Sequence, residues 1–223
     1  MSESRCRAVL FDLDGTLADT APDLAGALNA LLAELGESRL PFADIRPHVS
    51  HGARAMIGFA LNLQPDDEGY APLHRRFLEI YSAGLAEQTV LFDGMEELLL
   101  AAEAHGMPWG VVTNKPARLT DPLMAALELT GRAGCIVSGD TTAHAKPHPE
   151  PLLHASRLIG VPPEACLFVG DAERDIEAGR RACRRTLVAR FGYLGADDRP
   201  DAWGAAGIVD SPAEILGWPV AAG

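Results

Sequence analysis

The stretch AVLFDLDGT, residues 8–16, joins a run of four apolar residues directly to a loop that contains two carboxylates and a glycine. A short, continuous apolar run of this kind is typical of a strand that is buried on both faces of a parallel sheet. Asp12 and Asp14 lie two residues apart, so in an extended segment their side chains share one face. Gly15 allows the backbone to approach an anion closely. We therefore expect a buried strand over residues 8–11 that ends at a polar site.

The second half of the chain repeats this arrangement of an apolar strand followed by a helix. We predict strands at residues 108–112, 134–137, 165–169 and 186–189, and helices at residues 117–129, 149–159 and 175–183. Near-continuous apolar strands that alternate with helices indicate a parallel sheet covered on both faces. The predicted fold class is therefore α/β, with a Rossmann-like, doubly wound parallel sheet as its core.

Residues 18–86 have a different pattern, which is helical throughout. Thr20 and Asp23 have the spacing of a capping box, with Pro22 in the first turn, and leucines then recur on one helical face until Gly36. Helical patterns return at residues 52–63 and 73–85. We therefore predict a small all-helical domain at residues 18–86, inserted into a catalytic core made of residues 1–17 and 87–223.

The other predicted strands also end in polar side chains, namely Thr113, Asn114, Lys115, Lys146, Asp171 and Asp175. Ligands of parallel sheets bind at the carboxyl ends of the strands, so these side chains are expected to meet. Carboxylates collected in one place repel each other unless a hard cation lies among them, and oxygen ligands suit Mg²⁺. If a helix begins directly after Gly170, Asp171 and Asp175 lie one turn apart on one of its faces. The sequence thus predicts an Mg²⁺ site.

Four short motifs carry a family resemblance when they are taken in order. They are Asp12-Leu-Asp14-Gly15-Thr16, then Thr113-Asn114, then Lys146-Pro147, then Gly170-Asp171 together with Asp175. In this order the motifs resemble the four signature motifs of the haloacid dehalogenase superfamily, and the resemblance spans nearly the whole chain. It implies that residues 18–86 form a mobile helical cap over the site.

The resemblance also implies a role for each motif residue. Asp12 resembles the nucleophile that attacks phosphorus, and Asp14 the general acid that later acts as a base. Thr113 and Lys146 resemble the groups that hold the phosphate, with Gly15 at the phosphate-binding turn and Asn114 as a further phosphate or positioning contact. The implied Mg²⁺ ligands are Asp12, the backbone carbonyl of Asp14, and Asp171, with Asp175 as a supporting acid.

Asp14 also separates the branches of this superfamily. Dehalogenases lack a carboxylate two residues after the nucleophile, because a leaving halide needs no proton. The expected activity is therefore hydrolysis of a phosphomonoester, and the expected partner is a small-molecule phosphate ester. Two alternatives are a sugar phosphomutase and a binding protein that uses the fold without turnover.

The segment Ser50-His51-Gly52-Ala53-Arg54 is a polar break between predicted cap helices, so His51 and Arg54 are candidate substrate contacts. Arg54 is placed to pair with a carboxylate. Residues 111–116 and 146–152 resemble phosphoglycolate phosphatases, which favours 2-phosphoglycolate as substrate. Residues 52–56 and the tail around residues 192–193 and 203–204 resemble N-acetylmuramate 6-phosphate phosphatases, which is the alternative. Both substrates carry a carboxylate, so Arg54 does not distinguish them.

Charge and cysteine usage exclude several other functions. The formal net charge is −12, and a negative field repels nucleic acid and anionic lipid. No apolar run has the length of a membrane span, and the first apolar run ends too early for a signal peptide. The four cysteines are scattered singly, which is typical of reduced core thiols. We expect a cytoplasmic protein, monomeric or homodimeric, that binds neither nucleic acid nor membrane.

Overall fold

The computed structural model describes residues 6–183 and 185–218. Residues 1–5, 184 and 219–223, which the predicted core segments include, lie outside the described residues. In chain order the strands are β1 (Ala8–Phe11), β2 (Ala18–Asp19), β3 (Val90–Leu91), β4 (Trp109–Val112), β5 (Cys135–Val137), β6 (Cys166–Gly170), β7 (Arg185–Ala189) and β8 (Gly207–Val209). The α-helices are α1 (Ala21–Glu34), α2 (Phe42–Ile45), α3 (Gly52–Leu61), α4 (Tyr70–Ala83), α5 (Met95–Ala104), α6 (Ala117–Ala126), α7 (Glu150–Leu158), α8 (Glu173–Ala182) and α9 (Pro212–Ile215).

Six of the strands form one parallel sheet in the order β5-β4-β1-β6-β7-β8. Strand β1 lies between β4 and β6, and all of its residues are buried. Val9 and Phe11 pack on one face of the sheet with α5 and α6, whereas Ala8 and Leu10 pack on the other face with α7 and α8. Helices therefore cover both faces, which confirms the predicted doubly wound α/β core.

Helices α1 to α4, which we call the helical unit, pack around a separate apolar core. Leu28 and Leu31 of α1 meet Phe77 of α4 and Met56 of α3 there, all of them fully buried. The chain enters the helical unit through β2 and leaves it through β3, and these two short strands pair with each other in antiparallel fashion. The helical unit thus connects to the sheet through a pair of adjacent segments.

The predicted helix after Thr20 is present as α1, but the predicted capping box is wrong. Thr20 makes no capping hydrogen bond, because its hydroxyl donates instead to Asp14 Oδ1 at 2.6 Å. The Asp23 carboxylate accepts hydrogen bonds from the Gln88 and Thr89 backbone amides at 2.9 Å. Both side chains therefore connect the start of α1 to other segments rather than to its own first turn.

The four cysteines are all free and buried, and all lie outside the helical unit. Burial raises the pKa of Cys135 and the pKa of Cys166 to about 12, so both thiols stay protonated at neutral pH. Among the described residues, no helix is both long enough and apolar enough to span a bilayer.

Candidate active site

The ends of β1, β4 and β6 bring the predicted site residues together at one edge of the sheet. Asp12 follows β1, Thr113 follows β4 and Asp171 follows β6, and each side chain is almost completely buried. The amide of Asp12 donates to the carbonyl of Val169 in the neighbouring strand at 2.9 Å, which continues the sheet ladder by one residue. The sheet itself therefore fixes the position of Asp12.

Lys146 lies at the centre of this edge, and its side chain is fully buried. Its Nζ is 2.8 Å from Asp12 Oδ1 and 2.9 Å from Asp175 Oδ1, and it donates to the Val112 carbonyl at 2.7 Å. Burial raises the pKa of Asp12, while the ammonium group opposes that rise. For Asp175, burial acts in the same direction, but Lys146 and Arg174 outweigh it and lower the pKa. One lysine thus holds two carboxylates in place.

Asn114 holds the loop that carries Lys146. Its amide nitrogen donates to the Lys146 carbonyl at 2.9 Å, and its amide oxygen accepts from the Lys146 backbone amide at 2.9 Å. The Thr113 hydroxyl accepts a hydrogen bond from the Lys115 amide at 3.1 Å, so its own proton remains available to a ligand. Of the two roles expected for Asn114, this geometry favours positioning.

The carboxylates of Asp12, Asp171 and Asp175 form a cluster whose ligand atoms lie within 4.8 Å of one another. Asp171 Oδ1 is buried and accepts no hydrogen bond from any described residue. Burial, followed by the charges of Asp175 and Asp12, raises the pKa of Asp171 to about 7. A divalent cation would relieve this repulsion and provide the missing partner, so the donor set fits Mg²⁺.

The positions of Asp14 and Asp171 differ from those that the sequence predicts for metal ligands. The side chain of Asp14 is outside the acid cluster, so its backbone carbonyl is the group that the resemblance leaves for a ligand role. Helix α8 begins at Glu173, so Asp171 precedes the helix and does not share a helical face with Asp175. The loop between Gly170 and α8 brings these two acids together instead.

Glycines make room for Asp171. Gly15 has φ +83°, and a Cβ at this position would collide with Asp171 Oδ2 and lie 2.8 Å from the ring of Tyr193. A Cβ at Gly192 would collide with the Gly15 carbonyl and with Asp171. The Tyr193 amide donates to Asp171 Oδ2 at 3.0 Å. Side chains at either glycine would therefore displace this acid.

Asp14 faces the helical unit rather than the acid cluster. Its Oδ1 accepts hydrogen bonds from Thr20 Oγ1 at 2.6 Å and from Lys115 Nζ at 2.8 Å. Lys115 Nζ also donates to the hydroxyl of Tyr81 on α4 at 2.9 Å. Lys115 stands among the strand-end residues in the sequence, but sequence reasoning gave it no role.

The loop before α3 closes the site from the side of the helical unit. The Ser50 hydroxyl donates to Asp171 Oδ2, and the Ser50 carbonyl accepts from Arg174 Nη2 at 2.6 Å. Arg174 Nη2 is also 4.0 Å from Asp12 Oδ2. Sequence reasoning missed Arg174, because an arginine beside Asp175 in a helix gives no local signal of its contacts across the site.

A cavity of about 430 Å³ lies between the strand ends and the helical unit. Asp12 and Thr113 line it on the core side, and the predicted substrate contacts His51 and Arg54 line it on the opposite side. Desolvation and the nearby Arg174 lower the pKa of His51, so the imidazole is neutral at pH 7. Further side chains of the lining are Leu24, Val49, His74, Phe77, Leu78, Tyr81, Arg118 and Leu119.

A doubly wound parallel sheet with acids at its strand ends and an inserted helical unit above them defines the chain as an α/β protein whose candidate site lies at the carboxyl ends of the strands. A family model described as haloacid dehalogenase-like hydrolase matches residues 6–182. The chain therefore belongs to the haloacid dehalogenase-like hydrolases, as its four motifs predicted.

Similar proteins narrow the activity further. The chain is 46% identical to an N-acetylmuramic acid 6-phosphate phosphatase of Pseudomonas putida, over 95% of each chain. It is 44% identical to a phosphoglycolate phosphatase of Xanthomonas campestris, over 96% of this chain and 97% of that one. A crystal structure of a predicted phosphoglycolate phosphatase from Haemophilus somnus superposes with a TM-score of 0.84 at 26% identity, covering 97% and 99% of the two chains. The protein is a phosphatase that acts on phosphorylated small metabolites.

Proposed function

We propose that this phosphatase hydrolyses N-acetylmuramate 6-phosphate with the help of Mg²⁺, through a phosphorylated Asp12. The observation that carries the choice of substrate is the cavity, whose volume is about 430 Å³. Cavities of about 300–1,000 Å³ are typical for ligands of drug size, whereas 2-phosphoglycolate is far smaller. An amino sugar with a lactyl ether and an acetyl group uses this space more fully.

The chemistry of the cavity wall supports the same substrate. Leu24, Phe77 and Leu119 offer an apolar surface for the acetyl methyl group and the sugar ring. Arg54 and Arg118 lie in the same lining and are suited to bind the lactyl carboxylate. The name of the Pseudomonas putida relative agrees with this proposal.

A second candidate substrate is 2-phosphoglycolate. It is favoured by the name of the Xanthomonas campestris relative, which is nearly as similar to this chain. It also carries a carboxylate that Arg54 would bind. In a cavity of about 430 Å³ it would leave most of the apolar wall solvated, which weakens discrimination against other esters.

In the first proposed step, an Asp12 oxygen forms a bond to phosphorus while the bond between phosphorus and the ester oxygen breaks. The electron pair of the broken bond stays on the ester oxygen, and Asp14 donates its proton to that oxygen. Thr113 donates a hydrogen bond to the phosphoryl group, and the Lys146 ammonium group offsets its negative charge in the transition state. Lys146 already lies 2.8 Å from Asp12, which suits this role.

In the second step, water attacks phosphorus and the bond from Asp12 to phosphorus breaks, which releases inorganic phosphate and restores the Asp12 carboxylate. Asp14, now ionised, accepts the proton of the attacking water. The same residue thus serves as acid and then as base.

Asp12, Asp171 and the backbone carbonyl of Asp14 would hold Mg²⁺, with Asp175 as a supporting acid. Bound Mg²⁺ supplies positive charge that offsets the charge of the phosphoryl oxygens. The orphaned Asp171 oxygen and the raised pKa of Asp171 support this assignment.

Residues 18–86, which include the helical unit, are proposed to act as a cap that moves to admit substrate. The cap touches the catalytic groups through few polar contacts, among them those of Ser50 with Asp171 and Arg174. Such contacts can be exchanged for water when the cap opens.

Steady-state release of phosphate with Mg²⁺ tests the proposal, with both esters compared at equal enzyme concentration. We expect kcat/KM for N-acetylmuramate 6-phosphate to exceed that for 2-phosphoglycolate by at least about 100-fold, which is about 2.7 kcal/mol in the transition state. The Asp12→Asn variant provides the background rate. The reverse preference would establish the second candidate, and low rates on both would reject both substrates.

A further inference from the structure

The candidate acid Asp14 is joined to the helical unit through Lys115. Lys115 Nζ lies 2.8 Å from Asp14 Oδ1 and 2.9 Å from the hydroxyl of Tyr81, and 4.7 Å from the centre of the Tyr81 ring. The side chain of Lys115 is 6% exposed and that of Asp14 is 18% exposed. A charged pair this far from solvent interacts strongly and holds a defined geometry.

The two carboxylate oxygens of Asp14 differ in the hydrogen bonds that they accept. Thr20 and Lys115 both donate to Oδ1, whereas no described residue donates a hydrogen bond to Oδ2. Since Oδ1 is occupied, the carboxyl group is oriented with Oδ2 free to exchange a proton with a ligand. Asp14 and Lys115 both line the cavity, so a ligand bound in the cavity would lie beside this carboxyl group.

We propose that Lys115 is a positioning residue for proton transfer by Asp14, and that Tyr81 of α4 keeps Lys115 in place when the helical unit covers the site. This inference rests on the proposed function, in which Asp14 donates a proton to the leaving oxygen. Negative charge develops on Asp14 as the proton leaves, and the adjacent ammonium group stabilises that charge. When α4 docks and the site closes, Tyr81 thereby holds Lys115 beside Asp14, and the general acid is in place.

The dependence of rate on the leaving group distinguishes this role from a structural one. Phenyl phosphate and p-nitrophenyl phosphate present the same phosphoryl group, but p-nitrophenolate departs without a proton, whereas phenolate benefits from one. Neither ester contains a sugar or a carboxylate, so the result is independent of the natural substrate. The variants are Lys115→Met and Tyr81→Phe, with Tyr70→Phe on the same helix as the matched control, because Tyr70 does not line the cavity.

For Lys115→Met we expect kcat/KM for phenyl phosphate to fall about 100-fold, within the range for general acid catalysis. The rate constant of the pre-steady-state burst of p-nitrophenolate should change less than threefold. Tyr81→Phe should lower the phenyl phosphate rate in the same selective way by about 3–10-fold, and Tyr70→Phe should change neither rate.

An equal loss on both esters, or no loss on either, for Lys115→Met would overturn the proposal. Thermal melting checks that each variant is folded. If Lys115→Met does not fold, Tyr81→Phe provides the test. Equal effects of Tyr81→Phe on both esters would then reject the proposed link from α4 through Lys115 to Asp14. Failure of the wild type on N-acetylmuramate 6-phosphate would reject only the proposed substrate, because the comparison of the two aryl esters involves neither a sugar nor a carboxylate.

Discussion

The two walls of the cavity are built differently. On the core side, Asp12, Lys146 and Asp175 have side chains that are at most 4% exposed, and each is held by the sheet or by another buried charge. On the side of the helical unit, His51 ends the turn before α3 and Arg54 lies in the first turn of α3, and both residues are exposed. Rigid strand ends thus position the groups that any phosphate ester needs, whereas the helical unit offers side chains that a particular substrate can order.

The largest effect is expected at the core wall. Asp12→Asn should lower kcat by at least about 10⁴-fold, because the amide is a poor nucleophile for phosphorus. The fold should survive, since the substitution removes one of three mutually repelling carboxylates. Phosphate release measures the rate, and thermal melting the stability. Substantial residual turnover would remove Asp12 from the role of nucleophile.

Removal of divalent metal should abolish turnover and reveal a pH dependence in the acid cluster. The pKa of Asp171 is about 7 in the folded protein, above about 3.9 in an unfolded chain, so the folded state retains a proton that the unfolded state loses. The stability of the metal-free protein should therefore fall as the pH rises from about 4 to 7.

Mg²⁺ competes with that proton, so it should raise the melting temperature more at pH 7.5 than at pH 5. Melting with EDTA and with Mg²⁺ at both pH values measures this difference, and EDTA-treated enzyme should regain turnover on addition of Mg²⁺. An equal rise at both pH values would show that Asp171 does not exchange a proton for the cation.

On the helical wall, Arg54→Ala should raise KM for a carboxylate-bearing ester by about 10–100-fold and leave kcat nearly unchanged, because it removes a contact to the bound substrate and not to the reacting atoms. The rate on p-nitrophenyl phosphate, which has no carboxylate, should stay the same. Arg75→Ala is the matched control, since Arg75 belongs to α4 but does not line the cavity. A lowered kcat with an unchanged KM would place Arg54 in the chemistry instead.

The smallest effect is expected on the outer surface of the helical unit. Arg76 forms ion pairs with Glu34 at 2.6 Å and Glu79 at 3.1 Å, and all three side chains are about half exposed. Water and salt screen such pairs, so Arg76→Met should shift the melting temperature by less than about 2 °C and leave kcat/KM unchanged. A larger loss of stability would show that the helical unit depends on its surface charges.

The same division explains what could be predicted from the sequence. Asp12, Thr113 and Asp171 could be found because each directly follows an apolar strand, and parallel strands end at one edge. The contact between Arg174 and Ser50 joins residues 124 positions apart, and that between Lys115 and Asp14 joins residues 101 positions apart. The first contact depends on how the helical unit docks, and the second on the conformation of the loops that follow β1 and β4. No local sequence pattern records either of them.

Two local features of the structure also could not be predicted from the sequence. Strands β2 and β3 contain two residues each, too few to show the alternation that identifies a strand. The Thr20 hydroxyl has the spacing of a helix cap, yet a carboxylate from the preceding loop competes successfully for it. A capping motif predicts where a helix starts more reliably than where its side chain hydrogen bonds.

Because all four cysteines lie outside the helical unit, opening of the core and movement of the helical unit can be measured separately. All four thiols lie in the core and are buried, and burial raises the pKa of Cys135 to about 12, so a thiol reagent reacts only after the core opens. The helical unit contains no cysteine, so the proposed movement of the cap is expected to expose no thiol while the core stays closed. The rate of thiol labelling therefore measures opening of the sheet, while a fluorophore attached to the helical unit would follow the cap in the same sample.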